Sequence, residues 1–214
     1  MSSALDPFRR WAALDNLAVL DSETTGLSGE VIELAIVDRD GQPLFDERIR
    51  PLCPVEPGAQ AIHGISDADL ADRPTIAELW PRLSEIFLNH HVIVYNKTFD
   101  VPRIAASMGA ALPGWFEGPG SDGGNYSDMY RPWQHLARTS ECVMRAYAPV
   151  YGGWNDYHRS WRWAKLVDAC HREKVVTDDL RASHSALGDA LRTLRLVHAV
   201  ALKPDSSLPE EGEP

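Results

Sequence analysis

Leu17-Ala18-Val19-Leu20 and Val31-Ile32-Glu33-Leu34-Ala35-Ile36-Val37 are almost continuous apolar runs. That pattern belongs to strands covered on both faces rather than one. The spacing predicts strands over about 17–23, 31–38 and 44–50, and a fourth from His91 to Tyr95. Asp40-Gly41 is a hairpin signal, so the second and third strands should be antiparallel. Elsewhere the apolar period is helical. Ile76, Leu79, Trp80, Leu83 and Phe87 share one face of a helix that opens at Thr75, where Thr75 and Glu78 form a capping-box pattern. Pro81 predicts a kink in it. Further helices are expected through Phe8, Trp11 and Leu14, from close to Asp100 to about Met108, and from about Ser185 to Ala201. In the last, Leu187, Leu191, Leu194 and His198 lie on one side, widened by Val197 and Ala201.

Between these elements the pattern loosens. Cys53 to Asp72 is punctuated by Pro and Gly and reads as a loop. Gly109 to Gly124 holds six glycines and predicts a mobile loop rather than a packed element. Beyond it, a helix at about 128–138, a short strand near 140–144, a Gly152-Gly153 break and a helix from about Ser160 to Lys174 are expected. The organisation is then a lead-in over 1–15, one domain over 16–202 with a Gly-rich insert at about 109–139, and a disordered acidic tail over 203–214.

Composition narrows the class without naming a function. With 44% apolar and 24% charged residues in 214, the chain suits an ordinary globular domain with a full core. No apolar run approaches a membrane span, and the first ten residues carry no apolar signal segment. Cys53, Cys142 and Cys170 are odd in number, far apart and in no metal-ligand pattern, so they read as reduced packing residues of a cytoplasmic protein. The formal charge of −10 argues against coating duplex DNA by charge alone. It leaves open an enzyme that grips a few nucleotides through metal ions.

Candidate chemistry sits at the ends of the predicted elements. Asp21 and Glu23 are two apart at the end of the first strand and so project to one face. Two carboxylates side by side are costly unless a cation lies between them, and hard oxygen donors with no nearby cysteine point to Mg2+ or Mn2+. Taken alone, Asp21-Ser22-Glu23 also fits a strand running into a turn. Asp100 follows Tyr95-Asn96-Lys97-Thr98-Phe99 at a predicted helix start, where an acidic residue also suits the helix dipole. His184 and Asp189 are five apart, about 140° around an ideal helix, so His184 belongs before or at the helix start and Asp189 one turn in.

Taken together and in this order, the motifs resemble those of the DEDDh, or DnaQ-like, 3′–5′ exonucleases, which include polymerase III epsilon-type proofreading subunits. Asp21 and Glu23 match D-x-E-T-T-G-L, Asp100 matches F-D, His184 and Asp189 match H-x-x-x-x-D-A, and Ala61-Ile62-His63-Gly64-Ile65 matches a further stretch. The likeness spans about residues 17–200. It implies an α/β, ribonuclease H-like fold: a central mixed sheet with its first three strands antiparallel and helices on both faces. It further implies metal-dependent 3′–5′ hydrolysis of DNA, as single strands or 3′ ends, to nucleoside 5′-monophosphates. Two divalent ions, Mg2+ or Mn2+, would be held by Asp21, Glu23, Asp100 and Asp189, with Asp21 bridging both. His184 would serve as general base, histidine being the side chain that ordinarily titrates near neutrality. Thr24, Leu27 and His63 would border the terminal nucleotide. An RNA exonuclease and a catalytically idle subunit holding nucleic acid or a polymerase are the alternatives, and the full set of motif residues argues against the idle one.

Two features depart from that pattern. Lys97 stands where many relatives carry a small residue, which bears on the substrate channel, and Leu112 to Thr139 is longer than in compact relatives. Separately, Arg159, Arg162 and Lys165 recur every third residue, interleaved with Trp161 and Trp163. That pattern fits a surface that tracks phosphates and stacks bases, and equally a helix with a solvated basic face. Five of the seven tryptophans fall between Trp115 and Trp163, which is also consistent with local packing beneath the insert.

Overall fold

The computed structural model describes residues 3–113, 115, 127–180 and 184–208. A five-stranded sheet of order β3-β2-β1-β4-β5 organises the chain. β1 (Leu17–Thr24), β2 (Val31–Asp38) and β3 (Pro43–Arg48) form an antiparallel meander, and β4 (His91–Val94) and β5 (Glu141–Cys142) extend it in parallel with β1. The β2–β3 turn needs a left-handed residue and has Gly41 at φ 81°, as the Asp-Gly signal requires.

Alternation along the strands divides the core into two layers. Leu17, Val19, Val37 and Ile93 face one side, where they meet α1 (Asp6–Ala12), α7 (Val143–Tyr151), α8 (Leu166–Arg172) and α9 (Ala186–Ala201). Ala18, Leu20, Leu34, Ile36, Val92 and Val94 face the other, under α4 (Ile76–Asn89), α5 (Lys97–Ala111) and α6 (Ser127–Thr139). This is the mixed sheet with helices on both faces that the motifs imply. Two short helices, α2 (Pro57–His63) and α3 (Asp67–Leu70), occupy the stretch read as a loop, and together with Ile32 they make a small satellite core of Val55, Ile65 and Leu70.

Several boundaries differ from the expectation for identifiable reasons. α4 begins with the reciprocal Thr75–Glu78 cap and continues through Pro81, which lies on its exposed face. There the carbonyl left without a donor can turn to water. α5 starts at Lys97 rather than near Asp100, placing Pro102 beyond the first turn. Lys97 does not point along a channel: its ammonium donates to the Ser140 carbonyl at 2.6 Å and ties the start of α5 to the end of α6.

The glycine-rich stretch is not uniformly loose. Gly109 lies inside α5, and Trp115 is completely buried, edge-on to Trp80, Tyr130 and Trp133 at 5.0–5.9 Å. Trp80 and Trp133 donate their indole N–H groups to the Met129 and Val101 carbonyls. The insert thereby seals α4 and α5; residues 116–126 lie outside the described ones. The helix expected from Ser160 begins only at Leu166. Before it stands a hairpin, β6 (Trp154–Asn155) paired with β7 (Ser160–Trp161). Gly152, Gly153 and Arg159 have positive φ around it, a conformation that no helix admits. The near-terminal segment Pro204–Leu208 is also ordered. Asp205 accepts from Ser3 and Arg9 and Leu208 packs on the core, whereas 209–214 lie outside the described residues.

Candidate active site

The carboxylates gather where β1 ends beside the starts of α5 and α9. Asp21 and Glu23 share the parity of Val19 and so face the α9 side, while Ser22 faces α5. The Ser22 hydroxyl donates to Asp100 Oδ1 at 2.7 Å, fixing that carboxylate, which is 3% exposed, against the strand. Asp100 is the fourth residue of α5 and reaches the site from within the first turn.

α9 supplies the other wall. Its N-cap, Ser185, accepts from the Gly188 N–H at 3.2 Å. The Ala186 N–H donates to Glu33 Oε2 at 2.8 Å, and Glu33 pairs directly with Glu23 across the β1–β2 ladder. Glu33 is itself buried and lies 3.6 Å from the Arg48 guanidinium. Asp189, one turn into α9, accepts from the His184 N–H at 3.2 Å and from Arg192 at 3.0 Å. His184 sits at φ 67°, a left-handed bend that turns the chain into the helix and leaves its side chain exposed. Ligand atoms of Glu23, His184 and Asp189 lie within 4.8 Å of one another.

The electrostatics follow from that crowding. Burial, followed by the nearby charges of Asp100, Asp189, Glu23 and Glu33, holds the Asp21 carboxyl well above the usual carboxylate range. Burial and the same neighbours push Glu23 up to about 8. Burial raises Asp100 to about 7 although the Ser22 hydrogen bond opposes it. Arg192 pairs with Asp189 and Arg48 approaches Glu33, while Asp21 still faces the charges of Asp100, Asp189, Glu23 and Glu33. A buried group of like charges made only of hard oxygen donors is suited to divalent cations of the Mg2+ or Mn2+ kind. Asp21, Glu23, Asp100 and Asp189 are the side chains that could hold them.

Beside Glu23 opens a groove of about 380 Å³. Thr24, Leu27 and His63 line it, together with Gly26, Glu56, Ile62 and Phe99. Leu27 and Ile62 are exposed by 84% and 60%, offering apolar surface at its mouth. A Cβ on Gly26 would meet the Glu56 carboxylate at 2.3 Å, so a larger residue there would have to push that exposed side chain out of the groove. His63 Nδ1 accepts the Ile65 N–H at 3.0 Å, and burial lowers its pKa; its Nε2 is buried with no hydrogen-bond partner among the described residues.

The sequence reading missed Ser22, Glu33, Arg192, Ile62 and Phe99 as parts of this site. Glu33 was detectable as the single charge inside an otherwise apolar run, and Arg192 as the residue one turn beyond Asp189. Ser22 and Phe99 stand inside the motifs, but their part in the site shows only in the tertiary fold, which brings α5 beside β1.

An exonuclease family profile of the RNase T kind matches residues 18–112. An uncharacterised exonuclease, CP81 of Escherichia phage 186, is 30% identical over 195 residues, covering 90% of this chain and 91% of the phage protein. The epsilon subunit of DNA polymerase III from Escherichia coli K12 is 30% identical over 101 residues, covering 42% of either chain. Among solved structures, exonuclease X in complex with 5′-overhanging duplex DNA aligns with a TM-score of 0.57 and 24% identity, over 86% of this chain and 90% of that one. The chain belongs to the DnaQ-like exonuclease family, and its fold is the ribonuclease H-like one of those nucleases. No helix among the described residues is long and apolar enough to cross a membrane.

Proposed function

We propose that this protein is a metal-dependent 3′–5′ exonuclease of the DEDDh type that releases nucleoside 5′-monophosphates from DNA single strands or 3′ ends. The observation that carries the reading is the cluster at the end of β1: Asp21, Glu23, Asp100 and Asp189 crowd together with His184 beside an open groove. When bound, two divalent cations would supply the positive charge that opposes charge building up on the phosphate oxygens in the transition state.

The protein's own groups then have distinct tasks. Asp21, whose carboxyl feels the charge of every other carboxylate of the cluster, would be shared between the cations. Glu23 and Asp189 complete one cation site, and Asp100, held by Ser22, supports the second. Arg192 and the His184 N–H fix the two oxygens of Asp189. His184, exposed at the rim, takes a proton from the attacking water through its imidazole nitrogen. Leu27, Ile62 and Phe99 pack on the terminal base and sugar, and Thr24, Gly26 and His63 border them. A groove that takes one nucleotide end-on favours stepwise removal of ends over internal cutting. DNA is favoured over RNA as substrate because exodeoxyribonuclease 10 of Escherichia coli K12, a nuclease of DNA by its name, is 36% identical over 87 residues.

The test uses 5′-labelled DNA and RNA oligonucleotides with Mg2+ or Mn2+, and with chelator. The expected result is a ladder shortening from the 3′ end of DNA, abolished by chelator and blocked by a 3′-phosphate. Internal fragments appearing first would identify an endonuclease, and faster loss of RNA would exchange the substrate class.

A further inference from the structure

Beyond the catalytic cluster lies a second groove, of about 490 Å³, between α7 and the β6–β7 hairpin. Its floor includes Asn96 and Thr98, at the start of the helix that presents Asp100, so it opens next to the catalytic end of the sheet. Trp154, Trp161 and Trp163 line it, as do Arg145 and Arg159, and Lys165 lines an adjoining hollow with Trp163. Trp163 is 70% exposed and Trp154 42%. Trp161 is held edge-on to Trp154 at 5.2 Å, which stiffens the hairpin. The Tyr95 hydroxyl donates to the Ala164 carbonyl at 2.8 Å and fixes the segment after the hairpin to the end of β4.

The charge here runs against that of the molecule. In a chain of net −10, the stretch 152–165 holds Arg159, Arg162 and Lys165 against the lone carboxylate of Asp156. None of these three cations, nor Arg145, is ion-paired with a carboxylate among the described residues. Exposed flat aromatics between unpaired cations are the chemistry that binds a single strand without reading its sequence, by base stacking and phosphate contact. A protein ligand of acidic character would use the cations but leave three tryptophan faces without a matching series of planar groups.

We propose that the β6–β7 hairpin and the groove beneath it bind the nucleotides of the substrate strand that precede the one being removed, with Trp163 stacking on a base and Arg145 and Arg159 on phosphates. The inference rests on the exonuclease reading and adds to it a built site for the strand that leads into the cluster. It accounts for how an acidic protein holds a polyanion through successive cuts.

The test separates substrate length from catalysis. Binding of the thymidine dodecamer is measured in chelator at several salt concentrations, and hydrolysis with Mg2+ is compared between that dodecamer and the p-nitrophenyl ester of thymidine 5′-monophosphate, which is too short to reach the hairpin. Trp163→Ala is expected to weaken dodecamer binding by about tenfold, within the range measured for loss of one stacked base. Arg145→Ala combined with Arg159→Ala should flatten the slope of log affinity against log salt by about 1.4, the value for two phosphate contacts on a single strand. In both variants the ratio of kcat/KM for dodecamer over ester should fall by about tenfold. Unchanged affinity and salt slope would overturn the proposal. So would equal slowing on both substrates, which would mean that the hairpin only supports the fold. If the wild-type protein binds the dodecamer through these residues but releases no mononucleotide, the exonuclease reading fails and the groove stands.

Discussion

Asp100→Asn offers a direct measure of the strain stored in the carboxylate cluster. The substitution keeps the shape and an oxygen to accept from the Ser22 hydroxyl, now 2.7 Å away, but removes the charge. Burial raises the Asp100 carboxyl from its ordinary value of 3.8 to about 7. Its penalty is therefore absent only well below the unfolded value of 3.8, where folded and unfolded chains are both protonated. It grows as pH rises and the unfolded chain ionises first, and it is complete above the folded-state value near 7. A rise of that size corresponds to about 4 kcal/mol. Because neighbouring carboxylates share the relief, a gain of about 2 kcal/mol at pH 8 is the expected yield in the metal-free protein. Urea unfolding in chelator, followed by tryptophan fluorescence from pH 4.5 to 8.5, gives the comparison. The two proteins should be closest at the acid end and diverge in favour of Asp100→Asn towards pH 8. Adding Mg2+ should stabilise the wild-type protein and narrow the gap, because a cation that binds only the folded state shifts the equilibrium. A variant less stable than wild type at pH 8 in chelator, or a difference that does not change with pH, would refute the account of the cluster.

Asp21→Ala and Asp189→Ala should each remain folded and lose roughly three orders of magnitude in nuclease rate, read in single-turnover assays. Activity within tenfold of wild type would remove that residue from the cation sites. His184→Ala should lower turnover by roughly 10²–10⁴-fold with metal affinity little changed, the range for a lost general base; loss that follows Mn2+ release in a metal titration would instead make it a ligand. Leu27→Ala and Ile62→Ala should raise KM for short oligonucleotides several-fold while leaving thermal stability within about 0.5 kcal/mol, since both side chains are exposed. Glu33→Ala should destabilise the fold by about 1–3 kcal/mol in urea, because it strips the Ala186 N–H of its acceptor at the start of α9.

What could be read from residue order alone was the part of the molecule that repeats a simple period or a dense motif. The apolar runs at Leu17–Leu20 and Val31–Val37 announced the inner strands, and the Thr75–Glu78 cap marked the start of α4. The motif carboxylates were legible because their positions at element ends have no packing rationale. The stretch from Cys142 to Lys165 was not legible. Val143 and Pro149 argue locally against the helix α7 that tertiary contact imposes, and the basic triplet at every third residue imitates a helix where the chain makes a hairpin. At the insert, glycine content predicts looseness, yet the large indole of Trp115 is completely buried where the segment enters the core; residues 116–126 lie outside the described ones.

α9 links two places that have nothing chemical in common. Its first turn carries Asp189, and twelve residues later it ends near the knot in which Arg9 reaches the Lys203 carbonyl and the Asp205 carboxylate. From Asp189 to Ala201 the helix axis advances roughly 18 Å. A dye, a biotin or a surface tether attached at position 202, where Leu202 is 86% exposed just past the last turn, would thus sit on a rigid rod at a known remove from the carboxylate cluster. On the exonuclease reading proposed above, such an attachment point suits the protein to watching a single strand shorten in real time, the label reporting on position without crowding the chemistry.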